Sequence, residues 1–183
     1  MTAPFAEPFR PATDMPRFVR ELMAFVGLDD GDVAAIRASA GVVRRHEPEI
    51  TAALYDRFLR FPLTARFFLG DDGAPDAARL ERRKHSLGRW LRETADVAVT
   101  PEFGYYLLMI GLSHSHRALP TGAVPSHFVV GAMSLAQTAL GDVLARELAD
   151  PAAALAAARA WNKLLLVHLA VLLLGYLPAE GRA

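Results

Sequence analysis

Residues 101–127 read PEFGYYLLMIGLSHSHRALPTGAVPSH, and the assignment of this stretch decides how the rest of the chain is read. Pro101 suits a first helical turn, and Leu119-Pro120-Thr121-Gly122 ends what it opens, since proline cannot continue a helix and glycine takes the exit conformation. One helix therefore carries Ile110-Gly111-Leu112-Ser113-His114. A helical side chain leans back over the preceding turn, so the His114 imidazole is expected above Gly111 and Ile110, with Leu107 nearby. His116 lies about 200° further round, and the two histidines cannot share a pocket. Leu112 and Ser113 crowd the turn beneath His116, which favours His114.

Two readings of His114 stand side by side. A neutral imidazole on an apolar helix face is either a packed core residue or a metal ligand. In the second case, a glycine one turn earlier leaves room for something large, flat and metal-centred, and haem is the candidate.

Composition restricts the alternatives. The 183 residues suffice for one domain with a sizeable core, and twenty basic residues balance twenty acidic ones, leaving no charge footprint for nucleic acid. Without cysteine there is no thiolate ligand, so any metal ligand is nitrogen or oxygen. The N-terminus MTAPFAEPFRPATD lacks the basic start and apolar core of a signal peptide, and a cytoplasmic location is expected.

Outward from the central stretch, every segment reads as helix. Residues 1–12 are read as a flexible proline-rich arm and residues 13–178 as one domain. Thr13-Asp14 cap a helix through Phe25, ended by Gly27. Asp29-Asp30 cap a second through about Arg45, with Val33, Ile36, Ala40 and Val43 at helical spacing. Glu47-Pro48 reads as the opening of a third, whose Ile50, Leu54, Phe58 and Phe61 form a stripe with Tyr55 beside it.

PLTARFFLG then presents Phe67 and Phe68, and the loop from Gly70 to Pro75 has too few carboxylates for calcium. A helix from Asp76 to about Ala95 turns Leu80, Leu87 and Leu91 inward and carries Arg82, Arg83 and Lys84, a solvated face or a partner for pocket-edge carboxylates. Two long helices follow, about 125–149 and 151–177, the second started by Asp150-Pro151. Its stretch LLLVHLAVLLL, residues 164–174, is too short for a bilayer span and reads as buried. The fold class is all-α.

These spacings, taken in order, resemble the protoglobins and the related sensor globins. The resemblance is carried by Leu54-Tyr55, Phe67-Phe68, Leu80-Glu81-Arg82, Gly88-x-Trp90, Ile110-Gly111-Leu112-x-His114, Val124-Pro125 and Ala160-Trp161-x-Lys163. It implies a globin-like fold with an extra N-terminal helix, binding haem b. It further implies that His114 is the proximal iron ligand and that the Tyr55 hydroxyl is a distal donor to a diatomic gas (O2, CO or NO).

Leu54 and Leu87 stand where relatives carry aromatics, implying a roomy distal space, and Phe58 and Phe68 are expected to wall the haem. Ile110 and Gly111 complete the expected cofactor contacts. Arg83 and Lys84, with His85 next to them, occupy the region of the usual distal histidine, leaving Tyr55 as the candidate donor. Two rival functions are a haem enzyme acting on NO or peroxide, needing a separate reductant, and a haemless globin-fold interaction module. A sensor's output domain would follow the globin, so the end at PAEGRA reads as a stand-alone globin or a truncated sensor. The two C-terminal helices are apolar over more than one face, and pairing of two chains into a four-helix bundle through them is expected; related globins pair in the same way.

Overall fold

The computed structural model describes residues 13–96, 101–115 and 122–177. The N-terminal arm, His116 and the Leu119-Pro120-Thr121 breaker lie outside the described residues. Seven α-helices are present among those described: α1 Met15–Phe25, α2 Asp30–Arg60, α3 Pro62–Ala65, α4 Ala77–Ala95, α5 Pro101–Ser115, α6 Ser126–Glu147 and α7 Pro151–Leu174. A 3-10 turn, Arg66–Phe68, follows α3.

Four helix starts are set by aspartates whose carboxylates accept backbone N–H groups that have no partner within the helix. Asp14 accepts from Arg17, Asp76 from Arg79 and Asp150 from Ala152, at 2.9–3.1 Å. Asp29 and Asp32 cap each other's backbone N–H at the head of α2.

The expected break at Glu47-Pro48 is not there. α2 runs through Pro48 as one helix of 31 residues. Proline deprives the Arg44 carbonyl of its helical donor, a cost of about 3 kcal/mol in a helix interior. Burial of Val42 and Val43 before Pro48 and of Ile50, Thr51 and Leu54 after it holds both halves of the helix against its neighbours, and ion pairs add to this. Glu47 receives Arg92 of α4 at 2.5 Å, while His46 and Glu49 engage Arg146 of α6. A local start signal is thereby overridden, because the same helix is tied to two neighbours at the point where it would part.

Helices α2 and α7 form the centre. α7 packs on α1, α2, α5 and α6, and α2 packs on α4, α6 and α7. Trp161 of α7 is fully buried and donates its Nε1–H to Ser39 Oγ of α2 at 2.9 Å. Lys163 Nζ reaches from α7 to the Gly27 carbonyl and Asp32, both at 2.7 Å, which holds the α1–α2 turn. By length and composition both α6 and α7 could cross a membrane, so the shortness of the 164–174 stretch does not settle that point. The apolarity of the C-terminal half of α7 is accounted for within the chain: Leu164, Leu165, Val167, Leu169, Val171 and Leu172 are all buried.

His168 sits in this core with its ring edge-on to Phe103 at 5.3 Å and Trp90 at 6.3 Å. Its Nδ1 has no hydrogen-bond partner among the described residues, and burial pulls its pKa down to about 3. An unfolded histidine titrates near 6.5. Between those values the unfolded chain binds a proton that the folded chain refuses, so this contribution is complete above about pH 6.5 and is lost as pH falls. The slope is about 1.4 kcal/mol per pH unit. Denaturant titrations at pH 7.0, 6.0 and 5.0 should show a steeper fall in stability for wild type than for His168→Leu. Equal slopes would refute the assignment.

Candidate functional site

Helices α2, α4, α5 and α6, with the turn after α3, enclose a cavity of about 340 Å³ whose walls are mostly apolar. Of the residues expected at a site, Leu54, Tyr55, Phe58, Phe68, Leu87, Ile110 and His114 all line it. Gly111 does not. A methyl group added at Gly111 would run into the Leu172 carbonyl of α7, and one added at Gly175 would run into the backbone of Gly111 and Leu112. These glycines let the backbones of α5 and α7 cross in contact. The expectation that Gly111 clears space for a cofactor beneath His114 is corrected accordingly: it clears space for a helix.

His114 is defined by one contact. Its Nδ1 lies 2.7 Å from the Ile110 carbonyl oxygen, one turn earlier. A carbonyl only accepts, so Nδ1 carries the proton. Burial lowers the His114 pKa; the Ile110 bond opposes this and the Arg83 guanidinium adds to it. The ring is therefore neutral at pH 7, and its Nε2 keeps a lone pair. A backbone acceptor on one ring nitrogen is the arrangement that orients a metal-ligating histidine. Among the described residues no group of three His, Asp or Glu could hold a bare metal ion. A metal at His114 would have to bring its other ligands with it, as a porphyrin does.

Across the sequence, Tyr55 is held by its ring. It meets Phe58 and Phe68 edge-on at 5.5 Å each, and those two rings stack on one another at 6.2 Å. Tyr55 lines the cavity, and its hydroxyl makes no hydrogen bond to any described residue. Burial raises its pKa well above the ordinary tyrosine value, with Arg83 opposing, so it stays protonated and can donate.

Sequence reasoning did not reach the wall supplied by α6, where Phe128, Val129 and Met133 line the cavity, nor Tyr106 of α5 and Trp90 of α4. Their apolar character fits a core face equally well, so no local signal separates the two roles. From the basic run on α4 only Arg83 lines the cavity, whereas Lys84 pairs with Glu81 at 3.1 Å.

The protoglobin family model matches residues 16–182. Among solved structures, the globin domain of the Geobacter sulfurreducens globin-coupled sensor is similar, with a TM-score of 0.71 at 20% identity, covering 86% of this chain and 96% of that one. That likeness speaks to the fold, which is all-α and globin-like with α1 as the additional leading helix. No curated protein is similar to the chain in sequence.

Proposed function

Because the chain belongs to the protoglobin family, we propose that this globin binds one haem b through His114 Nε2 and takes a diatomic gas, O2, CO or NO, in the space beside Tyr55. The observation that carries the reading is the Ile110–His114 bond, which leaves a neutral imidazole with one available lone pair beside an apolar cavity. Haem iron, when bound, supplies one further coordination position for a small ligand. The chain supplies the rest. Leu54, Phe58, Phe68, Leu87 and Ile110 exclude water from the porphyrin faces, and Tyr55 offers one donor. Absorption spectra of the purified protein, oxidised, reduced and reduced with CO, test this directly. Absence of a Soret band after reconstitution with haemin would overturn it.

Tyr55→Phe is expected to speed oxygen release several-fold and to leave CO release nearly unchanged, because oxygen gains more from a donor than CO does. A hydrogen bond of this kind contributes on the order of 1 kcal/mol. Stopped-flow release rates that match between wild type and variant would remove Tyr55 from this role.

A cytoplasmic homodimer through α6 and α7 belongs to the same proposal. The core accounts for the second half of α7, so the surface left for a partner is narrower than the sequence implies: exposed Val130 on α6, with Leu155 and Leu166 and the small residues Ala152 and Ala156 on α7. Sedimentation equilibrium at micromolar concentration is expected to give twice the chain mass. A single species at the chain mass would exclude the dimer.

A further inference from the structure

Among the described residues that line the cavity, Arg83 is the one with a formal charge at neutral pH, and none is acidic. Three neighbouring cations have partners of their own. Arg66 lies over the Phe67 ring at 4.7 Å, Arg89 lies over Tyr106 at 5.0 Å and pairs with Glu93 at 2.7 Å, and Arg79 donates to the Leu69 carbonyl at 2.8 Å. Arg83 makes no hydrogen bond, ion pair or ring contact with any described residue, and its own absence from such contacts leaves five N–H donors available. It nevertheless shares the cavity wall with Tyr55 and His114. A neutral diatomic gas makes no use of such a charge.

We propose that Arg83 is the anion-receiving group of this cavity, holding a negatively charged oxygen or nitrogen group beside the gas site. The inference rests on the haem reading above. Two sources share that chemistry: a small inorganic anion such as azide or nitrite entering from solvent, and a carboxylate carried by the haem itself. A planar guanidinium with its donors in a fork suits either one.

The test uses the full chain loaded with ferric haem, or with haem dimethyl ester whose carboxylates are masked, in wild type, Arg83→Leu, Arg83→Lys and Arg82→Leu. Azide affinity is read from the Soret shift, and haem retention from the rate of transfer to excess acceptor apo-globin. If a small anion is held, Arg83→Leu weakens azide binding with either haem by roughly threefold to tenfold, as expected of one charge-assisted bond at a solvent-facing pocket edge. Arg83→Lys then retains most of the affinity, Arg82→Leu all of it, and CO affinity does not move.

If the haem carboxylate is held, Arg83→Leu speeds transfer of haem by a similar factor but not of its dimethyl ester, and azide affinity stays as in wild type. Both results support an anion-receiving Arg83 and assign its source. The proposal is overturned if wild type takes up haem and Arg83→Leu leaves azide affinity and haem retention both within about twofold, less than one such bond should give. A wild-type chain that takes up neither form of haem overturns the haem reading and this inference together.

Discussion

His114→Ala is expected to lose the haem stoichiometry of the wild type while keeping the fold. Alanine retains the helix propensity of α5, and the deleted imidazole is only half-buried at the cavity wall, so the surroundings need little repacking. What disappears is the one neutral nitrogen with a free lone pair among the described residues that line the cavity. Tyr55 is a poor substitute, because burial disfavours the phenolate that iron would require. The measurement is haem content per chain after reconstitution, with circular dichroism for the fold, and added imidazole should restore a Soret band by occupying the vacated volume. His116→Ala should load normally. An unchanged Soret band in His114→Ala together with its loss in His116→Ala would mean that the other histidine holds the iron.

The second large effect falls on stability rather than on haem. Gly111→Ala places a methyl group inside the Leu172 carbonyl, a backbone atom that cannot rotate away. In an exposed helix, glycine to alanine stabilises by about 0.5–1 kcal/mol. Overpacking a closed contact costs about 1–3 kcal/mol, and a backbone-to-backbone contact belongs at the upper end. Overpacking wins, and with about 2–4 °C per kcal/mol for a chain of this size the melting temperature should fall by several degrees. Gly141 has nothing within 4 Å of the corresponding position, so Gly141→Ala should move the melting temperature the other way. Calorimetry on the haem-free proteins separates the two roles proposed for Gly111: equal melting temperatures for wild type and Gly111→Ala would dissolve the helix-crossing assignment.

Legibility in the sequence followed the range of the interaction involved. Asp14, Asp29 and Asp150 marked their helices correctly because a cap acts within three residues, and Asp76 caps α4 in the same way although it was not read as a cap. Pro48 misled because its local meaning is a helix start, whereas the contacts that α2 makes around it, such as the pairs of Glu47 with Arg92 and Glu49 with Arg146, span 45 and 97 residues. His114 was singled out by its own stretch and Tyr55 by the family resemblance, and both line one cavity. Gly111 was assigned to the cavity because the spacing to His114 fixes their relative angle but not which neighbour stands opposite. Lys84 and Arg83 were equivalent in the sequence; a single pairing with Glu81 separates them.

The crossing of α5 and α7 has a consequence for where the cavity can yield. His114 lies between two fastenings to α7, the Gly111 crossing on one side and, on the other, Ser115 Oγ donating to the Gly175 carbonyl at 2.6 Å. The His114 carbonyl in turn accepts the Val124 N–H at 2.8 Å, and Tyr176 donates to the Val124 carbonyl at 2.9 Å. A push on the imidazole therefore meets the stiffness of two helices acting as one beam. α4 rests chiefly on α2. Any yielding of the cavity is therefore expected first on the α4 side, in the wall that carries Arg83 and Leu87.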